Sequence, residues 1–364
     1  MQQPTCRGLE NLPPELLLAI AEILPADSRL VLSQTCSAFL NIIQSSQRTK
    51  FSLKNFDPST FLDYLATIAR DLADAWVCDK CMALHAADLQ DTPQSPLTKS
   101  CPQASLHRAN EQRLCWPHHR HVQLALKYTR LGVPDPERRR HLAKLLGPVV
   151  ANHPPDNDDS WVAHVACSSR GKIVNGRFLL KYTWHYDAAS EPIEYLYHGP
   201  YGSLVICNHK YLPGFLMACI FYHVKQAGEE EAAKIISEGL QMLLEPSDAR
   251  EAARESLVDD QRVVELTESC SSCLTDFSVC VGEDGFCLSA WYDLGPEGSP
   301  FDESWTSHTI QEPCGGDIGR PREGYVPESI RLLYEQTAPD IKTLTTSLSD
   351  CQSGLAKEEV GRSG

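Results

Sequence analysis

The sequence lacks the features that mark several large classes of protein. No apolar run reaches the ~18 residues that a membrane-spanning helix needs, and Glu10, Glu15 and Glu22 interrupt the N-terminal stretch where a signal peptide would have a continuous apolar core. No internal repeat recurs at a fixed period, which argues against propellers and solenoids. We therefore expect a globular protein that is neither secreted nor inserted in a membrane, located in the cytoplasm, the nucleus or both.

Motifs of common catalytic sites are also missing. The chain has no glycine-rich phosphate loop and no Gly-x-Ser-x-Gly nucleophile elbow. It has neither a His-Glu-x-x-His motif nor the His-x-Glu with Pro-Cys-x-x-Cys of zinc deaminases, which would set a carboxylate base beside an open zinc site. We assign no catalytic residue and expect a non-enzyme, with a zinc-dependent hydrolase or deaminase as the alternative.

Positive charge is scarce. The 33 Lys and Arg stand against 48 Asp and Glu, a net charge of −15. This excess argues against nucleic-acid binding, because the phosphate backbone is itself anionic. The charge is uneven, with an acidic segment at 228–269 and a basic, histidine-containing one at 107–144. Solvated helix faces explain both segments more simply than docking surfaces do.

Cysteine, in contrast, is plentiful. Fifteen cysteines in an intracellular chain should stay reduced, so clustered ones indicate metal ligands. Two Cys-x-x-Cys pairs occur, and each lets two thiolates face one zinc ion that needs two further ligands. We expect structural zinc at both, the alternative being reduced core cysteines. The candidate ligands are Cys78, Cys81, His85 and Cys101 in the first cluster, with Cys115 and His118 as alternates, and Cys207, His209, Cys270 and Cys273 in the second.

The densest apolar pattern lies at 9–43. Its leucines and isoleucines recur at three- and four-residue intervals, which is typical of one face of a short helix. Pro13 and Pro14 suit the first turn and Pro25 would end it. Asp27 or Ser28 would cap a second helix, and a third would follow. Three short helices cannot bury all this apolar surface among themselves, so part of it should meet a partner.

The rest of the chain predicts an α+β fold with an antiparallel sheet. Helices are expected at 57–72, 119–131, 135–146, 211–269 and 328–336, with strands at 161–165, 193–197 and 203–206 and hairpins through Asn175-Gly176 and 282–285. Segments 86–114 and 295–324 should be irregular. The expected domains are 8–53, then 57–148 with the first cluster and 154–336 with the second, followed by a disordered tail at 337–364.

Residues 9–43 resemble the F-box, a family that shares the order L-x-x-L-P-x-E-L-L-x-x-I, a turn, and S-x-x-x-L-S-x-x-C-x-x-F. The resemblance implies a three-helix domain that binds a Skp-type adaptor and, through it, a cullin. The chain would then be the substrate-recognition subunit of a Skp–cullin–F-box ubiquitin ligase and hold an unknown target protein with its remaining residues. An F-box protein acting outside a ligase is the alternative. The implied adaptor-binding residues are Leu9, Leu12, Pro13, Leu16, Leu17, Ile20, Leu24, Leu32, Cys36 and Phe39.

The C-terminal part is similar to that of a group of fungal F-box proteins. They share a Cys-x-x-Cys-x-Thr-Asp segment, a Trp-x-Asp-Leu-Gly and a Trp-x-x-His, here beginning at Cys270, Trp291 and Trp305. The same group often has a Cys-x-x-Cys-x-x-x-His segment after the F-box, which 78–85 matches. Cys207-Asn208-His209 departs from the group's Cys-Pro-His by lacking the proline. This resemblance implies nothing about the target.

Overall fold

The structure is a computed structural model with two compact units, Met1–Tyr334 and Glu335–Gly364. No helix in the part that it describes is long and apolar enough to cross a bilayer. Of the second unit, Glu335 and Gln336 are described. The described residues are 12–35, 39–41, 57–97, 101, 115–132, 134–152, 165–187, 203–207, 209–213, 264–270, 272–282, 285–309 and 325–336.

Two short helices begin the described chain, α1 (Pro14–Ile23) and α2 (Ala26–Thr35), and residues 39–41 are helical as well. Prolines delimit α1 as predicted, since Pro14 occupies its first turn and the chain is extended at Leu24. The predicted cap of α2 was placed too late. Helix α2 starts at Ala26, because the carbonyl of Pro25 already accepts from the Arg29 amide at 3.0 Å.

Helix α3 (Pro58–Ala69) starts as the Asp57-Pro58 pair predicts, with the Asp57 side chain accepting from the Thr60 amide at 3.0 Å. Its apolar face packs on α2 through Leu30 and Leu62. An antiparallel hairpin of β1 (Ala75–Cys78) and β2 (Ala83–Ala86) follows. This hairpin was not predicted, because strands of four residues carry too little alternation to be recognised.

Two helices then lead to the main sheet. Helix α4 (His119–Leu131) ends at Gly132, whose left-handed φ of 57° suits glycine, and Asp135 caps α5 (Pro136–Leu145) through the Glu137 amide at 3.0 Å. Both helices were predicted. Residues Arg120 to Tyr128 of α4 are all buried, so this helix lies inside the fold rather than on its surface.

Six antiparallel strands form the main sheet, in the order β3, β4, β5, β10, β9, β8. Positive φ at Asn175 (51°) and Gly176 (72°) closes the predicted hairpin between β4 and β5, and Gly282 pairs with Gly285 where β9 meets β10. A separate pair, β6 and β7, forms a two-stranded sheet. The bounds are β3 (Pro148–Asn152), β4 (Val165–Val174), β5 (Arg177–Asp187), β6 (Ser203–Cys207), β7 (Lys210–Pro213), β8 (Val264–Cys270), β9 (Thr275–Gly282) and β10 (Gly285–Pro296).

The prediction of helix across 211–269 is wrong at both ends. Residues 211–213 belong to β7, and 264–270 form β8, which pairs with β9 over seven residue pairs from Val264–Val281 to Cys270–Thr275. Pairing with β9 outweighed the local pattern here, because Glu265 and Glu268 are three positions apart and would share one face of a helix but lie on opposite faces of a strand. Segments 214–263, 193–197 and 161–164 lie outside the described residues.

Near the C-terminus lie two short helices, α6 (Glu303–Thr309) and α7 (Ser329–Gln336). Helix α7 was predicted. Helix α6 stands in a segment that was expected to be irregular, and its first turn forms as the Asp302 carbonyl accepts from the Trp305 and Thr306 amides at 2.9 Å.

One hydrophobic core joins α4 and the β1 strand to the inner face of the sheet, with Trp76, Leu124, Phe178, Leu288 and Tyr292 among its members. Residues from both sides of the expected boundary near 148–154 share this core, and the division at that boundary stays an expectation. On the outer face of the sheet, Ile330 of α7 packs against Leu179 and Trp291.

Asp276 joins α7 to the sheet. This carboxylate is 1 % exposed on β9 and accepts from the amides of Ile330 (2.8 Å) and Arg331 (2.9 Å) and from the Ser269 hydroxyl (2.7 Å). A residue more than fifty positions upstream therefore satisfies the free N–H groups at the start of α7.

Replacing Asp276 by alanine is expected to lower the free energy of unfolding by about 2 to 4 kcal/mol, because buried amides lose a charged acceptor. Asp276→Asn keeps one acceptor oxygen at the same place and should lose less than half as much. Urea denaturation of the wild type and the two variants measures the difference. Equal losses in both variants would contradict the capping role.

Candidate functional site

The first two helices divide their apolar residues between an inner and an outer side. Leu17 and Leu30 are buried, at 6 % and 8 % exposure, whereas Leu16 is 52 % and Ile23 81 % exposed. Leu16 and Ile23 are seven residues apart on α1 and so share one helix face. This exposed pair is an apolar surface that the described part of the chain leaves uncovered.

The predicted adaptor-binding residues fall into three groups. Pro13 and Leu16 are exposed, and Leu17 and Phe39 are buried. Ile23 is exposed as well and was not among the predicted residues, although its spacing from Leu16 gave the signal. Leu12, Ile20, Leu24 and Leu32 are half-buried, and Leu9 and Cys36 lie outside the described residues.

The structure brings the four predicted residues of the first cluster together. Cys78 ends β1, Cys81 lies in the turn, His85 lies on β2 and Cys101 arrives from downstream, with one ligand atom of each within 4.8 Å of the others. The Cys101 Sγ is 3.6 Å from that of Cys78 and 3.3 Å from that of Cys81. The Cys81 amide donates to the Cys78 Sγ at 3.4 Å, so the backbone of the turn also contacts the sulfur atoms of the cluster.

The alternates lie elsewhere. The Cys115 Sγ is 3.5 Å from the Cys167 carbonyl oxygen, and the His118 amide donates to the Nδ1 of His121 at 3.3 Å. Neither belongs to the groups of metal-ligand type found among the described residues. Cys101 was the predicted ligand, and Cys115 and His118 were the alternates. The fold decides between them, because β1 and β2 face Cys101.

Burial shapes the protonation of the first cluster. It raises the pKa of the Cys78 thiol to about 12 and lowers the pKa of His85, because burial disfavours the charged imidazolium. The Nε2 of His85 is buried without a hydrogen-bond partner in the described part of the chain. An unpaired buried nitrogen of this kind costs about 1–3 kcal/mol, and coordination of a cation would remove that cost. Three thiols and one neutral imidazole are a donor set that suits tetrahedral zinc.

The second cluster joins the turns of two hairpins. Cys207 and His209 flank the β6–β7 turn, and Cys270 and Cys273 flank the β8–β9 turn. One ligand atom of each lies within 4.8 Å of the others, against the roughly 4 Å expected around an ion with bonds of about 2.0–2.3 Å. The three cysteines are at most 2 % exposed, and His209 is exposed.

Close contact among these thiols shifts their pKa values in opposite directions. Burial raises the pKa of Cys207 to about 12, whereas hydrogen bonds from Cys207 and Cys273 lower that of Cys270. The cluster thus favours one thiolate that its neighbours stabilise, and a divalent cation would favour all three. The described cysteines form no disulfide. Cys280 and Cys287 pair across β9 and β10 and belong to neither cluster.

Comparison with protein families gives one match. Residues 9–51 match the family model of the F-box domain. The match supports an F-box domain-containing protein. F-box domains typically bind the Skp adaptor, and the matched residues, hereafter the F-box region, include the exposed Leu16 and Ile23.

Neither the comparison with curated proteins nor that with solved structures gave a match. The predicted F-box resemblance is confirmed by the family match. The likeness of the C-terminal part to a fungal group stays a prediction.

Proposed function

We propose that this chain is the target-recognition subunit of a Skp–cullin–F-box ubiquitin ligase. One observation carries the proposal: the F-box match falls on helices that leave Leu16 and Ile23 exposed on one face. A domain that binds its partner through apolar contacts needs such a face. The role places the chain in the cytoplasm, the nucleus or both.

The two sides of the F-box region would serve different purposes. The outer side of α1 meets the adaptor. The inner side joins the rest of the chain, since Leu30 packs with Leu62 and the Gln34 side chain donates to the Tyr64 hydroxyl at 2.7 Å. The remaining residues hold an unknown target protein near the ubiquitin-charged enzyme on the cullin. Ubiquitin transfer then gains from the raised local concentration of the target, and the chain needs no catalytic residue of its own.

We further propose structural zinc at both clusters. Each offers four protein ligands of the Cys₃His type, whereas a catalytic zinc keeps a position open for water or substrate. Zinc, when bound, supplies a cross-link between segments that are distant in sequence. A full ligand set supports the structural role over a zinc-dependent hydrolase or deaminase.

Affinity purification of the full-length chain from its own cells tests the ligase assignment. We expect the Skp adaptor and a cullin to co-purify in comparable amounts, because the adaptor bridges the F-box region to the cullin. Recovery of the adaptor without a cullin would favour the alternative of an F-box protein that acts outside a ligase. Loss of both would reject the adaptor-binding role itself.

A further inference from the structure

The β1–β2 hairpin has two faces, and they serve different parts of the molecule. Trp76 and Cys78 point into the core shared with the six-stranded sheet. Val77 packs instead in the cluster formed by α2 and α3, together with the half-buried Met82 and Leu84. The hairpin therefore packs on one side against α3, which in turn packs on α2 of the F-box region, and on the other side joins the core of the sheet.

Hydrogen bonds from α4 hold strand β1 in place independently of metal ligation. The Gln123 side chain on α4 accepts from the Val77 amide and donates to the Val77 carbonyl, both at 3.0 Å. The Lys127 ammonium donates to the carbonyls of Ala75 (2.5 Å) and Leu72 (3.1 Å). Helix α4 is itself buried against the sheet, so β1 is part of the rigid core.

The turn and β2 depend more on the first cluster. A two-stranded ribbon with strands of four residues is not stable by itself. Cys81 in the turn and His85 on β2 are both members of the cluster, and Met82 and Leu84, which pack toward α3, stand beside them in sequence. Without a cation, the His85 Nε2 stays buried and unpaired within the described structure. Ligation at Cys81 and His85 thus positions the residues that support α3.

We propose that metal ligation by Cys78, Cys81, His85 and Cys101 fixes the F-box region relative to the six-stranded sheet. The coupling rests on the zinc proposed at this cluster and not on the proposed ligase role of the F-box region. Loss of the metal frees the turn and β2 while α4 retains β1. Helices α2 and α3 then lose part of their support, and the sheet keeps its structure.

The second cluster provides a matched control. It also contains three cysteines and a histidine, but its buried cysteines form a hydrophobic cluster of their own that includes no residue of α2 or α3. A ligand substitution there removes one metal of the same type without touching the proposed coupling.

Hydrogen exchange on the full-length chain, loaded with zinc under reducing conditions, tests the coupling in Cys81→Ser and in the control Cys273→Ser. Both variants should hold one zinc ion per chain where the wild type holds two. Exchange at the amides of α2 and α3 should rise about tenfold or more in Cys81→Ser and clearly less in Cys273→Ser, where only the loss of global stability acts on them. Strands β4, β5 and β10 should remain protected in Cys81→Ser. Cys81→His, which restores a ligand, should recover protection of both helices.

Several outcomes would overturn the coupling. These are unchanged protection of α2 and α3 after one zinc is lost, an equal rise in both variants, exchange throughout the sheet of Cys81→Ser, and absence of zinc from the wild type. Adaptor affinity is measured separately on the same samples. A wild type that holds zinc but binds no adaptor would reject the proposed function and leave the exchange result to decide the coupling.

Discussion

Replacing both Leu16 and Ile23 by aspartate is expected to abolish binding of the Skp adaptor. Both side chains are large, apolar and exposed, at 52 % and 81 %. A buried anchor residue typically contributes 2 kcal/mol or more to an interface, so two charged replacements should weaken binding by roughly 4 kcal/mol, about a thousandfold. Calorimetry with purified adaptor and full-length chain measures the loss.

The same exposure makes this variant a clean test. Neither side chain contributes to the buried residues of α1, which are Leu17 and Ala21, so the fold should persist. Leu131→Asp is the matched control, because Leu131 is another exposed leucine, 37 % accessible, at the end of α4. Its affinity should equal that of the wild type. Full binding by a folded Leu16→Asp, Ile23→Asp double variant would remove α1 from the interface.

Substitution of Cys270 by serine is expected to remove one of two zinc ions per chain and to lower the melting temperature by roughly 10 °C or more. The ion at this cluster would tie the β6–β7 hairpin to the β8–β9 turn, and structural zinc contributes many kcal/mol where it holds the fold. A loss of about 3–5 kcal/mol corresponds to a shift of this size in a domain of 150–250 residues. Elemental analysis and thermal unfolding under reducing conditions give both numbers.

Cys287→Ser controls for the loss of a thiol as such. Cys287 is half-buried on β10, opposite Cys280, and belongs to neither cluster. It should keep both ions and melt within a few degrees of the wild type. If Cys270→Ser and Cys287→Ser behave alike, or if the wild type binds no metal, the second cluster is an ordinary group of core cysteines.

What the sequence predicts well in this chain is local. Asp57-Pro58 starts a helix and Asn175-Gly176 closes a hairpin, because the required side chains and φ angles lie within one turn. The four-residue groupings of both clusters were also predicted. Short internal gaps such as that between Cys270 and Cys273 fix half of each set. Cys207 and His209 stood at a predicted strand end, and the resemblance to the fungal group indicated His85.

What the sequence could not predict depends on residues that are far apart. Asp276 caps a helix more than fifty positions downstream, and the sequence around α7 does not indicate this distant cap. The sequence of β8 was predicted to be helical, and its pairing with β9 makes it a strand. Exclusion of the alternates Cys115 and His118 requires knowing where the β1–β2 hairpin faces. In each case tertiary contacts outweigh local preference.

The pairing of β5 with β10 at the centre of the sheet joins two segments that are far apart in the chain. Thr183 and Ser289, which lie opposite each other in this pairing, are 106 residues apart in the chain. The hairpins on either side, β4–β5 and β9–β10, are local and can form early, but joining them closes a long loop, which is slow. During synthesis the F-box region and α3 therefore leave the ribosome well before β10 can complete the core. We therefore expect the helices of the F-box region to form on the nascent chain before the sheet is complete.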